Sequence, residues 1–322
     1  MPDKQWTVLL ISLLLGLPLF AYTVSGLDLS TVRSTLVNAP MLSLAAYLLL
    51  SVFNVVVYTM IWSVFLSWQS VSIPLVTLFN YRMTGFAISY VTPGPRVGGE
   101  ITRAGLVQRH ASFEKGLFTA SFDTFMLFLG GLVFDTAAII LAVSTYPTSG
   151  SLHALLAGLA LAVLLVLGAW WFGVTHGGIV HVFGWLAENT TFTEVRDRAA
   201  AVIDEVELYI RRRTTSFIGL VGASVATKVG IAVQLYVLVG ALGIPISFLE
   251  AVFLAAAIDL AYSIPAYMGV GFLEAGQSAV FSLAKRSTET GVLVALITRL
   301  RDILLSVYGL LALLYYTIPG RR

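Results

Sequence analysis

The sequence of 322 residues contains no cysteine, which excludes disulfides and cysteine-ligated metal sites. Charged side chains are also scarce: only 11% of the residues are Asp, Glu, Lys or Arg, against about a quarter in soluble domains. No polar stretch is long enough to form a separate soluble catalytic domain. The formal net charge of +2 does not indicate a nucleic-acid partner, and we expect none.

Apolar residues take the place of the missing charge. They make up 58% of the chain and give it a mean hydropathy of +0.90. Long apolar runs predict spans at 6–22, 41–68, 113–144, 152–174, 217–242 and 292–318. We therefore predict an all-α polytopic membrane protein, with residues 1–322 forming a single integral membrane domain. A cleaved signal peptide is the alternative for the first run, and we favour an uncleaved span because of its length.

One stretch, from Val91 to Arg103, interrupts this apolar background with two prolines and three glycines. Proline removes a backbone donor and glycine relaxes φ, so no continuous helix is expected to run through it. A second, weaker break follows at Ser263–Glu274, again with a proline, glycines and then a glutamate. Two interrupted apolar segments at matching places in two halves indicate a transporter site.

Each break divides an apolar segment into two arms, and we interpret 74–110 and 248–284 as re-entrant hairpins. One complete span followed by a surface loop is the alternative for the first. Six full spans and two hairpins then form an inverted repeat, with repeat one at about 41–145 and repeat two at about 215–318. Apolar residues recur at three- and four-residue steps over 191–213, which predicts a cytoplasmic amphipathic helix.

Lysines and arginines fall unevenly on the two sides of this topology. One side receives Lys4, Arg109, Lys115, Arg196, Arg198, Arg211, Arg212, Arg213, Arg321 and Arg322, and the other receives Arg33, Lys285 and Arg286. Because cytoplasmic loops carry the excess of positive charge, the first side is predicted to be cytoplasmic. The protein is then a multi-pass protein of the cell membrane with both termini inside, and the hairpins open to opposite faces.

Charged residues inside apolar segments are costly, and they usually face the protein interior or a water-filled cavity. Glu100 and Arg103 are three residues apart, so they share one helix face. They lie at the start of a half-helix, where free N–H groups favour anions. Glu274 opens the second half-helix in the same way. The planar fork of an arginine suits a phosphate group better than a lysine does, which predicts a phosphate head group as the ligand.

These charges also have a structural alternative, in which each pairs with a neighbour and holds helices together. Arg103 would then pair with Glu100 or Asp123, and Arg299 would pair with Asp302. The glycine-rich break lacks the Gly-Lys-Ser/Thr ending of a P-loop, so no ATP site is expected. We predict no metal site and no other cofactor.

The two breaks resemble the motifs of a known family, the membrane domain of lysylphosphatidylglycerol synthases and its free-standing relatives. The resemblance is carried by Pro93, Gly94, Gly98, Gly99, Glu100, Arg103, Pro265, Gly269, Glu274 and Arg299. Asp123 stands where relatives often have the first residue of an Asp-Arg pair. The soluble aminoacyl-transferase domain of the fused members is not found in these residues, so lipid aminoacylation is not expected.

The resemblance implies a lipid flippase or a transporter of phospholipids or polyprenyl-phosphate-linked intermediates, and not an enzyme. Its implied partners are the bilayer and an anionic lipid or lipid-linked phosphate head group. The predicted substrate-binding residues are Glu100, Arg103, Asp123, Glu274 and Arg299. Two alternatives stay open. One is a transporter of a small soluble solute, and the other is a membrane glycosyltransferase that uses a lipid-phosphate sugar. An early external loop with only Asp28 as its acid counts against the glycosyltransferase.

Overall fold

The computed structural model describes residues 39–91, 97–145, 212–263 and 270–317, with scattered positions between 18 and 25, between 150 and 168, and at 210. The regular elements in these ranges are all α-helices. In chain order they are α1 Met41–Trp68, α2 Leu75–Val91, α3 Val97–Val107, α4 Phe113–Thr145, α5 Thr214–Ala241, α6 Phe248–Ser263, α7 Phe272–Leu283 and α8 Thr288–Thr317. The predicted all-α class is confirmed for this part of the chain.

Several predicted segments lie outside the described residues for all or most of their length. They are the spans at 6–22 and 152–174 and the amphipathic helix at 191–213. Residues 92–96 and 264–269 of the two breaks also lie outside the described residues.

Internal contacts group the chain into two units. The first combines Met1–Gly131 with Ser224–Arg322, and the second is Leu132–Ala223. The described residues of the second unit include the last turns of α4 and the first turns of α5. The polar clusters analysed below all belong to the first unit.

Within the described ranges, three helices are long and apolar enough to cross a membrane: α1, α4 and α5. They contain 28, 33 and 28 residues, with mean hydropathies of 2.1, 2.2 and 1.7 in their most apolar stretches. At ~1.5 Å per residue, each is longer than the ~30 Å hydrocarbon core of a bilayer. By contrast, the 11 residues of α3 and the 12 of α7 extend only about 16–18 Å, too short to cross it.

The helices α1–α4 and α5–α8 follow the same plan. Their lengths in chain order are 28, 17, 11 and 33 residues in the first half and 28, 16, 12 and 30 in the second. The first two helices of each half are joined by short connections of equal length, 69–74 and 242–247. The helix plan is therefore repeated, and in each half the break lies between the second and third helices.

The first helices of the two halves meet through buried polar side chains. Ser51 Oγ donates to Gln234 Oε1 at 2.9 Å. Asn54 Nδ2 donates to the Thr227 carbonyl at 3.0 Å. The later residue of α1 meets the earlier residue of α5, so the two helices run antiparallel. Gly230 permits this approach, because a Cβ there would lie 2.8 Å from Asn54 Oδ1.

The last helix, α8, packs against α2 of the other half. Asn80 Nδ2 donates to the Tyr316 hydroxyl at 3.3 Å, and Thr84 Oγ1 donates to the Gly309 carbonyl at 3.3 Å. The order of these contacts shows that α8 is antiparallel to α2. A Cβ at Gly309 would overlap with the Met83 carbonyl, so the helices approach this closely only because Gly309 has no side chain.

Candidate functional site

The first polar cluster joins α2, α3 and α4 around one carboxylate. Asp123 is fully buried and accepts hydrogen bonds from two arginines. Arg82 Nη2 lies 2.8 Å from each carboxylate oxygen, and Arg103 Nη1 lies 2.6 Å from Oδ2. Arg103 Nη2 also donates to the Ala120 carbonyl at 3.1 Å and to Thr124 Oγ1 at 2.8 Å. The Arg103 guanidinium is thus held by three acceptors of α4.

The indole ring of Trp62 on α1 packs against both arginines of this cluster. Its centre lies 5.5 Å from the guanidinium carbon of Arg82 and 5.0 Å from that of Arg103. Both distances allow cation–π attraction. Arg82 also donates to the Tyr58 carbonyl at 2.8 Å. The two arginines therefore carry more positive charge than the negative charge of the single carboxylate can balance. The aromatic ring and the carbonyl oxygens help to stabilise the excess positive charge.

Glu100 lies in the first turn of α3 and is partly exposed. Its Oε2 accepts a hydrogen bond from Ser121 of α4 at 3.2 Å. Glu100 and Arg103 therefore turn to the same neighbouring helix, but Arg103 pairs with Asp123. This pair is one of the two structural alternatives that the sequence left open for Arg103.

Two glycines of the first break motif lie in the first turn of α3. A Cβ at Gly99 would overlap with the Ser89 side chain and the Gly85 carbonyl, so only glycine lets α3 pack this closely against α2. The Thr102 side-chain hydroxyl donates to the Gly98 carbonyl, four residues earlier in the same helix, at 2.8 Å. The other four motif residues lie outside the described part of the chain: Pro93, Gly94, Pro265 and Gly269.

The second polar cluster joins α7 and α8. Glu274 is fully buried, and its Oε1 accepts two hydrogen bonds from Arg299, from Nη2 at 2.6 Å and from Nε at 3.0 Å. The other oxygen, Oε2, accepts the backbone N–H of Gly271 at 2.9 Å. Gly271 directly precedes α7 as its N-cap residue. Its φ of 83° lies in the left-handed region that favours glycine. One carboxylate therefore binds both the arginine and the N-terminus of α7.

The residues that precede the two breaks approach this second cluster. Tyr90, next to the last residue of α2, interacts electrostatically with Arg299, Glu274 and Asp302. Tyr262, next to the last residue of α6, donates its hydroxyl to Asp302 Oδ2 at 2.5 Å. The ends of α2 and α6 therefore lie beside the same turn of α8, although they belong to different halves.

Polar contacts continue from this turn of α8 to the first helices of both halves. Arg301 donates to Asp302 Oδ1 at 2.7 and 2.9 Å, and its Nη1 lies 3.4 Å from Gln234 Oε1. Gln234 in turn accepts a hydrogen bond from Ser51 of α1. Asp302 therefore pairs with Arg301, whereas the sequence-based alternative paired Asp302 with Arg299.

Two contacts lie on the side away from the breaks, near the outer ends of the helix pairs α2–α3 and α6–α7. Lys115 Nζ donates to the Gln69 carbonyl at 3.2 Å, which joins the start of α4 to the end of α1. Arg286 Nε lies 3.0 Å from Glu250 Oε1, which joins the end of α7 to the start of α6. Burial alone would raise the pKa of Glu250, but hydrogen bonds from the Ser247 backbone and from Arg286 outweigh it and leave that pKa lower than usual.

Some residues of these clusters carry little signal in the sequence. Arg82 precedes Asp123 by 41 positions, and no local spacing links the two. Trp62, Tyr90 and Tyr262 are uncharged and lie in apolar segments, so a search for charged residues does not detect them. The position of the two tyrosines is the signal that could have found them, because each lies directly before a break.

Long apolar helices with charged side chains paired between them define a polytopic helical membrane protein with a polar interior. A comparison with protein families matches residues 9–309 to the family described as Lysylphosphatidylglycerol synthase TM region. The chain belongs to this family, and the family resemblance of its break motifs is confirmed. A comparison with curated proteins gives no match.

Proposed function

We propose that the protein is a lipid transporter of the flippase type. It would move phospholipids or polyprenyl-phosphate-linked intermediates across the cell membrane without converting them chemically. The observation that carries the proposal is the position of Arg299. Its side chain is 12% exposed, and it pairs with the residue that caps the N-terminus of α7, Glu274. A guanidinium fork beside a helix N-terminus offers a phosphate group several N–H donors and a favourable dipole.

The proposed architecture has six full spans and two re-entrant hairpins, α2–α3 and α6–α7. The shortness of α3 and α7 supports re-entrance, because neither can cross a bilayer. Two contacts support it further: the Glu250–Arg286 pair joins the start of α6 to the connection after α7, and the Lys115–Gln69 contact brings together the segments that flank α2–α3. The antiparallel course of α1 and α5 supports entry from opposite faces. The distribution of lysine and arginine then favours cytoplasmic termini.

A site between two broken helices suits a ligand with a charged head and apolar tails. Irregular backbone at membrane depth is tolerated where it lines a polar cavity, and transporters use such breaks to bind charged substrates. The head group would enter beside Arg299 of α8, near the ends of α2 and α6. The tails would stay along the exposed apolar side chains of the long helices, such as Leu49 and Phe53 of α1.

The part of Glu100, Arg103 and Asp123 in substrate binding stays a prediction. To bind a phosphate, Arg103 would have to leave three acceptors of α4: Asp123, the Ala120 carbonyl and Thr124. We therefore assign the primary phosphate contact to Arg299. The first cluster would hold α2 and α3 in place. In the second cluster, the ligand phosphate would take the place of the Glu274 carboxylate on Arg299.

A reconstituted flipping assay tests this proposal with two matched double variants. Glu274→Gln/Arg299→Ala removes the ion pair of the second cluster. Glu250→Gln/Arg286→Ala removes an ion pair between the start of α6 and the connection after α7. In phosphatidylcholine proteoliposomes that contain a labelled phosphatidylglycerol, the first variant is expected to lose at least about tenfold in flipping rate. The second variant should keep its rate.

Equal flipping rates in the two double variants would overturn the assignment of Arg299. If the protein takes up a soluble anion and added lipid does not inhibit this uptake, the result would instead favour the solute transporter. Product formation from a labelled lipid-linked sugar would favour the glycosyltransferase.

A further inference from the structure

A ligand phosphate at Arg299 would compete with Glu274 for the same hydrogen-bond donors. Glu274 Oε1 takes two donors of Arg299, and Oε2 takes the N–H of Gly271. A phosphodiester, like a carboxylate, presents two oxygens that can accept such charge-assisted hydrogen bonds. The carboxylate of Glu274 therefore occupies the position that a ligand phosphate would take.

Among the residues that the structure describes, the charges around this site balance in pairs. Arg299 neutralises Glu274, and Arg301 neutralises Asp302 one turn away. In the described part of the chain, the other titratable groups that face the pair are hydroxyls that are neutral at neutral pH: Tyr90 from α2 and Tyr262 from α6. A phosphate that joined this arrangement would bring an uncompensated negative charge into a largely buried site, which is strongly unfavourable.

Proton uptake by Glu274 would remove that imbalance. We propose that a monoanionic phosphodiester head group displaces the Glu274 carboxylate from Arg299, and that the released carboxylate takes up one proton. The proton adds to a carboxylate oxygen, and no bond of the lipid is broken. The site then has the same net charge with and without the lipid. This inference rests on the proposed function and makes translocation a proton-linked step.

The same charge balance selects a class of substrate. A phosphodiester carries one negative charge, which the protonation of Glu274 compensates fully. A phosphomonoester carries close to two negative charges at neutral pH, so it would leave the site with an excess negative charge. The first cluster is not suited to this exchange, because Asp123 faces both Arg82 and Arg103. Protonation of Asp123 would leave two buried guanidinium groups without a counter-charge.

Isothermal titration calorimetry of the full chain in detergent measures this proton uptake. The probe is dihexanoyl phosphatidylglycerol, a short-chain phosphodiester, titrated in buffers of different ionisation enthalpy. The dependence of the observed enthalpy on the buffer gives the number of protons taken up. At neutral pH, the wild-type protein is expected to take up about one proton for each probe bound.

Two variants localise the proton. Glu274→Gln keeps an oxygen that can accept the Gly271 N–H, and it should bind the probe without proton uptake. Glu250→Gln changes a carboxylate at the other end of the same helix pair and should behave as the wild type does. If Glu274→Gln does not fold, the buffer dependence of the wild type still decides whether uptake occurs.

The outcomes separate this inference from the proposed function. Wild-type binding without proton uptake, or uptake that persists in Glu274→Gln, would overturn the inference and leave flipping intact. Absence of both probe binding and flipping would overturn the proposed function as well. Inorganic phosphate serves as the second probe, and we expect it to bind much more weakly than the lipid. Equally tight binding of inorganic phosphate would contradict a lipid as the source of the anion.

Discussion

The two halves of the protein share one helix plan but place opposite charges at adjacent positions of the fourth helix. Asp123 and Thr298 each lie ten residues after the first residue of the fourth helix of their half, α4 and α8. The next residues are Thr124 and Arg299. The long helix therefore carries the acid in the first half and the base in the second. In both halves the short third helix supplies an oppositely charged partner.

This reversal changes what each cluster can do. In the first half, Arg82 and Arg103 hold one carboxylate, so loss of either arginine leaves Asp123 with a partner. In the second half, one carboxylate binds Arg299 and also caps α7. A ligand anion that replaced the carboxylate on Arg103 would leave Asp123 bound to Arg82, whereas a ligand anion on Arg299 would displace Glu274 from its arginine altogether. The first arrangement suits mechanical support, and the second suits anion binding.

The largest expected effect is in a labelling experiment that tests whether the two halves are inverted relative to each other in the membrane. Ser112 and Ser287 are equivalent, each directly before the fourth helix of its half. The chain has no cysteine, so Ser112→Cys and Ser287→Cys can be labelled without background. With an impermeant maleimide on intact cells and inverted vesicles, we expect Ser287→Cys to react from outside and Ser112→Cys from the cytoplasm. Labelling of both from the same face would contradict the inverted repeat.

Loss of the acid in each cluster is expected to have a smaller, unequal effect on stability. Asp123→Ala leaves two buried arginines without a carboxylate, whereas Glu274→Ala leaves one. Removing one partner of a buried ion pair costs about 3–5 kcal/mol. The melting temperature in detergent should therefore fall further for Asp123→Ala than for Glu274→Ala. Equal losses would argue against a supporting role that is specific to the first half.

The packing of the short helices α3 and α7 also differs between the halves, and its expected effect on stability is smaller. A Cβ at Gly99 of α3 would overlap with Ser89 and Gly85, but a Cβ at Gly276 of α7 would meet the Ala257 carbonyl at an ordinary 3.5 Å. Gly99→Ala should therefore destabilise the protein by about 1–3 kcal/mol, the range for overpacking. Thermal unfolding of Gly276→Ala serves as the control, and we expect little change. A larger loss for Gly276→Ala would show that α7 is the more tightly packed helix.

The sequence predicts where helices lie better than where they start. The apolar run at 41–68 coincides with α1, because Pro40 precedes it and a polar turn follows it. By contrast, α8 begins at Thr288, four residues before the predicted start at 292, and α3 begins at Val97, inside the stretch 91–103 through which no continuous helix was expected. Their first turns contain glycines or polar residues without apolar periodicity. Helix geometry there depends on neighbouring helices that a local pattern does not reveal.

Side-chain partners are predicted less well, because tertiary packing decides them. Glu274 and Arg299 are 25 positions apart, and the sequence indicates each of them as a charged residue in an apolar segment but does not indicate that they pair. The pairing of Asp123 with Arg103 was one of two alternatives, and the additional pairing with Arg82 was not predicted. Charge cost explains why such residues must be paired inside a membrane protein, but it does not identify the partner.

Lysine substitutions test the division of roles most directly, because they keep each charge and remove the guanidinium fork. Arg299→Lys and Arg103→Lys would be compared for initial flipping rate in proteoliposomes and for melting temperature in detergent. We predict that Arg299→Lys flips about tenfold more slowly with little change in melting temperature. Arg103→Lys should melt at a lower temperature but flip at the wild-type rate per folded molecule. A normal rate in Arg299→Lys, with the loss confined to Arg103→Lys, would contradict the assignment of the anion site to the second half.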